Sequence, residues 1–161
     1  MVEKNNNYGK LYLLSGISGI GKSTFAAALA SKNNNLKIVS RDEIRFRYLK
    51  DGEPYFAHED EVYIEFCKEI NEYLKQGYDV IADQINITIK SRAKLINKIT
   101  ACAELNCLYF TGAAALALEH NEHRHGRAYV PKEIIQNMYN HFEPPTYDEG
   151  FDKIYVKRVT E

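Results

Sequence analysis

One run of nine residues, Gly16-Ile17-Ser18-Gly19-Ile20-Gly21-Lys22-Ser23-Thr24, limits this chain to few folds. It is a complete G-x-x-x-x-G-K-S phosphate loop. The run sits between an apolar strand, Leu11-Tyr12-Leu13-Leu14, and a strong helix former, Thr24-Phe25-Ala26-Ala27-Ala28-Leu29-Ala30. Glycines let backbone N–H groups close around phosphate without interference from Cβ. Lys22 reaches the outer phosphates, and the Ser23 hydroxyl is the magnesium ligand of such loops. A helix starting inside the loop adds unpaired N–H groups and a dipole that favours negative charge. Gly16, Ser18, Gly19, Gly21, Lys22, Ser23 and Thr24 are therefore read as a nucleoside triphosphate site, with ATP and Mg2+ as the expected cofactors.

The chain has 161 residues, 45% hydrophobic and 27% charged, enough for one domain over 1–161 with a sizeable core. No apolar run would span a bilayer, and Met1-Val2-Glu3-Lys4 does not read as a signal peptide. Cys67, Cys102 and Cys107 are an odd set without a C-x-x-C pair, which predicts reduced thiols and a cytoplasmic protein. The formal charge of −1 argues against a broad footprint on duplex DNA, so any nucleic-acid contact should be local.

Strand and helix patterns alternate along the chain. Strands are expected at Leu36–Ser40, Asp79–Asp83, Cys107–Thr111 and Lys153–Val156, besides the one before the loop. Helices are expected over Arg41–Lys50, Glu59–Gln76, Thr88–Leu105, Ala113–His123 and from Pro131 to about Phe142. The pattern predicts an α/β fold: a single-domain P-loop kinase, with a five-stranded, mostly parallel sheet flanked by helices and a lid. The ligand should lie over the C-terminal ends of the strands.

Three segments carry candidate chemistry. The second strand ends in Ser40-Arg41-Asp42-Glu43-Ile44-Arg45. A carboxylate there can take the proton of an acceptor hydroxyl, which makes Asp42 the candidate base, unless it only caps the next helix. Arg45 lies one helical turn later and can bind an acceptor phosphate by a bidentate fork; Arg41 is read on the same side. The third strand ends in Asp83-Gln84-Ile85-Asn86-Ile87-Thr88. Asp83 could hold magnesium through water or orient Arg45, while Asn86 and Thr88 read as turn and cap. The segment His120–Pro131 is the expected lid. Arg124 is the candidate for neutralising the transferring phosphoryl group, and Arg127 for gripping the nucleotide. Its histidines lack the cysteine or carboxylate pattern of a zinc site.

These motifs together resemble the polynucleotide 5′-kinase family, which includes phage end-repair kinases and the kinase module of animal polynucleotide kinase-phosphatases. Ser40-Arg41-Asp42 with Arg45 is similar to the family's (S/N)-R-D-x-x-R, and 83–88 is similar to D-x-T-N-L-T. The lid resembles R-N-x-x-R-x-x-R followed by V-P. The stretch from Phe142 to Phe151 resembles F-E-x-P-T-x-x-E-G-F. His120 stands where the lid pattern has its first Arg, one extra residue precedes Val130-Pro131, and Ile85 replaces the Thr. The resemblance implies that Asp42 is the general base and that Arg45 binds the acceptor's phosphate. It also implies that Lys22 and Ser23 serve ATP and magnesium and that Arg124 is the transition-state arginine. The implied acceptor is a 5′-hydroxyl end of DNA or RNA, with a separate phosphatase or ligase as a partner. Two alternatives stay open: a kinase of a small-molecule hydroxyl (nucleoside, sugar or antibiotic), or a nucleotide-binding module without turnover.

Overall fold

Strands that alternate apolar side chains to both faces can be covered on both by helices, and a parallel sheet results. In a computed structural model describing residues 2–112, 114–124 and 129–159, the main sheet has five strands. In chain order the elements are β1 (Glu3–Lys4), β2 (Leu11–Ser15), α1 (Lys22–Ser31), β3 (Leu36–Ser40), α2 (Arg41–Tyr48), α3 (Glu59–Lys75) and β4 (Asp79–Asp83). There follow α4 (Ile89–Ile96), β5 (Ala101–Cys102), β6 (Leu105–Thr111), α5 (Ala114–Glu122), α6 (Lys132–Asn140), a 3₁₀ turn (Tyr147–Glu149) and β7 (Lys153–Arg158). The sheet order is β3-β4-β2-β6-β7, and every pairing is parallel.

Two apolar layers sandwich this sheet. Leu11, Leu13, Val80 and Ala82 face one side, packed with Val62, Phe66, Ile70 and Leu74 of α3 and Leu95 of α4. Leu14 and Ile81 face the other, packed with Ala26 of α1, Leu116 and Ala117 of α5 and Ile135 of α6. The central strand β2 has β4 on one flank and β6 on the other. Its C-terminal end is thus the point where the sheet order reverses, where ligands of open α/β sheets bind.

Three expectations need correction. The helix expected over Thr88–Leu105 ends at Ile96. Past it, Asn71 of α3 takes the backbone: its side-chain amide donates to the Lys98 carbonyl (2.9 Å) and its Oδ1 accepts from Thr100 N–H (3.0 Å). The chain then enters β5, which pairs with β1 in a small second sheet that the sequence pattern did not suggest. The last strand runs to Arg158 instead of Val156, and the fourth begins at Leu105. No described helix is long and apolar enough to cross a membrane.

Candidate functional site

The phosphate loop leaves β2 and enters α1 through two glycines in the left-handed region, Gly19 at φ 85° and Gly21 at φ 100°. A Cβ on Gly19 would lie 2.6 Å from the Ala117 carbonyl oxygen, so α5 packs on the loop too closely for any other residue. Gly21 caps α1 without a side-chain acceptor, which leaves the first N–H groups of the helix for an anion. The Lys22 ammonium is folded onto its own loop, donating to the carbonyls of Gly16 (2.7 Å) and Ile17 (2.9 Å). Burial pushes its pKa down to about 8, and Arg124 adds to that, against the pull of Asp83 and Asp42. His120, at the position of the lid pattern's first Arg, puts Nδ1 2.7 Å from the Gly19 carbonyl oxygen.

Ser23 Oγ donates to Asp83 Oδ2 at 2.9 Å. Burial raises the Asp83 carboxyl above its ordinary value, with Ser23 and Lys22 opposing. No group of three or more metal-ligating side chains occurs among the described residues. One hydroxyl and one nearby carboxylate suit a magnesium ion that phosphate oxygens and water mostly coordinate, so Ser23 and Asp83 fit that group. Among the described residues Asp83 bonds Ser23 and has no hydrogen bond or ion pair that would orient Arg45.

Glu59 does that. It opens α3 and binds two of the three arginines of α2, Arg41 and Arg45. Arg45 donates from Nε and Nη2 to its two oxygens (3.0 and 2.7 Å), and Arg41 Nη2 to Oε1 (2.5 Å). Burial works against the Arg45 charge, but Glu59, Tyr55 and Asp42 outweigh it and hold its pKa above the ordinary value. The arrangement keeps a buried guanidinium fixed one turn from Asp42, which it also contacts. Asp42 does not cap α2; the Ser40 hydroxyl does, accepting from Glu43 N–H. The Asp42 carboxylate is mostly exposed and accepts from the Tyr55 hydroxyl at 2.7 Å on Oδ1. Burial and that bond push the Tyr55 pKa up to about 12, so it remains a donor.

A second anchor escaped the sequence reading. Arg92, fully buried, pairs with Glu149 of the 3₁₀ turn (2.7 and 3.1 Å) and donates to the Asn86 carbonyl (2.9 Å). Asn86 has φ 48° and donates from its side chain to the Leu14 carbonyl (2.9 Å), and Ser15 Oγ donates to the Asn86 carbonyl (2.8 Å). Thr88 caps α4 as expected, in a box with Ser91. Thus the turn after β4 is fastened to the root of the phosphate loop. Arg127 lies outside the described residues. The ends of the lid segment are joined: Asn121 donates to the Val130 carbonyl (2.6 Å) and accepts from its N–H (2.9 Å).

A family model described as an AAA domain matches residues 11–145. A curated relative, L-seryl-tRNA(Sec) kinase of Methanococcus maripaludis, is 31% identical over 149 residues, covering 88% of this chain and 56% of the relative. The chain thus spans about half the length of that relative. A solved Pnkp1/Rnl/Hen1 RNA repair complex contains a chain 22% identical at TM-score 0.72, covering 88% of this chain and 49% of that one. A fungal RNA kinase is 10% identical at TM-score 0.71, covering 98% and 78%. A sugar kinase from Janibacter sp. is 15% identical at TM-score 0.66, covering 96% and 87%. At such identities the solved structures speak to the fold.

Proposed function

Because the chain belongs to the AAA-domain family and has the P-loop kinase fold, we propose that it transfers the γ-phosphate of ATP to the 5′-hydroxyl end of DNA or RNA. The observation that carries this reading is the clamp on Arg45. A guanidinium buried against Glu59 and reaching Asp42 is suited to read the phosphate 3′ to the reacting hydroxyl and to hold that hydroxyl against the carboxylate. Asp42 takes the hydroxyl proton. The freed oxygen bonds to the γ-phosphorus as the bond to the β-γ bridging oxygen breaks, and ADP leaves with that electron pair. Lys22 and Arg124 neutralise charge on the outer phosphates, which is where most of the rate enhancement in phosphoryl transfer arises. A bound magnesium would add Lewis-acid neutralisation of the same phosphates, held by Ser23 and, through water, Asp83.

A second reading has one observation of its own. The 31% identity to a seryl-tRNA kinase favours an acceptor hydroxyl carried on an aminoacyl group at an RNA end. An acceptor panel with labelled ATP separates the two: a nucleoside, its 3′-monophosphate, a 5′-hydroxyl oligonucleotide and seryl-tRNA. The 3′-monophosphate and the oligonucleotide should be phosphorylated and the nucleoside poorly used. Exclusive use of seryl-tRNA would replace the first reading with the second, and equal use of the nucleoside would remove both.

A further inference from the structure

Beside the acceptor site, α3 and the end of α4 enclose a cleft of about 610 Å³ lined by Arg41, Glu59, Tyr63, Lys94 and Lys98, with Asp60 and exposed Ile64 beside them. Its volume suits a single nucleotide. Three cations converge there. The Arg41 guanidinium stands 4.8 Å from the centre of the Tyr63 ring and the Lys94 ammonium 4.5 Å from it. Lys98 lies one turn past Lys94, where the backbone bends out of the helix. Arg41, Lys94 and Lys98 thus all line the one cleft.

Like charges held together repel unless something anionic joins them. Among the described residues neither Lys94 nor Lys98 makes an ion pair. Of the two carboxylates lining the cleft, Glu59 is already shared by Arg41 and Arg45, and Asp60 pairs with neither lysine among the described residues. Scattered surface lysines are ordinary and solvated, and need no ligand. Here they instead gather around a buried aromatic ring, in a cleft whose Arg41 and Glu59 are bonded to each other, with Glu59 also bonded to Arg45, which contacts Asp42. A positively charged groove that tracks the backbone is what single-stranded nucleic acid binds.

We propose that this cleft receives the next nucleotide of a single-stranded acceptor, with Lys94 and Lys98 on its phosphodiester and Arg41 beside its sugar. The proposal rests on the 5′-kinase reading above and extends it from one acceptor phosphate to two. It makes the enzyme prefer an oligonucleotide to a 3′-mononucleotide.

The test compares wild type with the Lys94→Ala/Lys98→Ala double variant, which changes two exposed side chains. With a 5′-hydroxyl tetranucleotide, kcat/KM should fall at least about tenfold, as expected for losing one charge-assisted contact or more. With a 3′-mononucleotide it should be unchanged. The salt slope of oligonucleotide binding should become shallower by about 0.7, the value for one phosphate lost on a single strand. Equal kcat/KM values for the tetranucleotide in the two proteins would overturn the cleft and leave the kinase reading standing. If wild type phosphorylates no 5′-hydroxyl acceptor, that reading fails instead. Fluorescence anisotropy of a labelled single strand then judges the cleft alone: unaltered affinity in the double variant rejects it, and weakened affinity upholds it.

Discussion

Raising the pH from 7 to 9 should weaken ATP binding about tenfold through Lys22 alone. In the free protein its pKa is pushed down to about 8 by burial, with Arg124 contributing. Phosphate oxygens replacing the Gly16 and Ile17 carbonyls would stabilise the ammonium and raise that pKa again. Binding must then take up a proton wherever the free lysine has lost it. With a pKa of about 8, about nine-tenths of the ammonium is present at pH 7 and about one-tenth at pH 9. Affinity is therefore full below pH 8 and falls as pH rises through it. The stability of the free protein should move the opposite way. Between pH 8 and the ordinary lysine value of 10.5 the unfolded chain binds more protons at this site, so this group's contribution to stability rises with pH. Titration calorimetry in two buffers of different ionisation heat reads the proton directly: about 0.1 taken up per ATP at pH 7 and about 0.9 at pH 9. Lys22→Arg, which stays charged, should abolish the pH dependence. The reasoning is refuted by a flat affinity from pH 7 to 9, or by the same slope in the arginine variant.

Asp42→Asn should retain ATP binding and lower kcat by about 10² to 10⁴, measured by single-turnover kinetics. Tyr55→Phe removes the donor to Asp42 Oδ1 and should lower kcat about fivefold with KM for ATP unchanged, the effect of one net hydrogen bond. Arg124→Ala should reduce kcat more than KM, because its charge acts on the phosphates during transfer; a change confined to KM would make it a nucleotide-binding group. Glu149→Ala strands the buried Arg92 and should destabilise the fold by about 3–5 kcal/mol, seen as a lower urea midpoint with the slope preserved.

The sheet and the phosphate loop were legible because their signals are local: apolar runs of strand length, glycine spacing, and a helix former at the right offset. Asp42 and Arg45 share the local signal of one helical turn. What binds Arg45 is not local. Glu59 sits 14 residues on, at the head of an amphipathic helix, where it reads as an ordinary first-turn acid. Tyr55 lies in the break after Asp51-Gly52, with no periodicity to mark it. The early end of α4 is likewise set from a distance, by Asn71 and by the pairing of β5 with β1. Asp83 illustrates the converse: its place at a strand end was plain, but only the packed loop reveals that its neighbour is Ser23.

The Arg92–Glu149 pair has a consequence during synthesis. The two residues are 57 positions apart, so at ordinary elongation rates Arg92 leaves the ribosome about 3 to 11 s before its counter-charge. Until then a guanidinium destined for full burial has no carboxylate to accompany it inside, and α4 cannot close permanently over the sheet. A nascent chain stalled before Glu149 should stay open to protease near Arg92 while β2, β3 and β4 are already made. The tail from Thr146 to Gly150 thus acts as a latch whose arrival times the completion of the nucleotide loop's footing, since Ser15 and Asn86 meet at the same guanidinium.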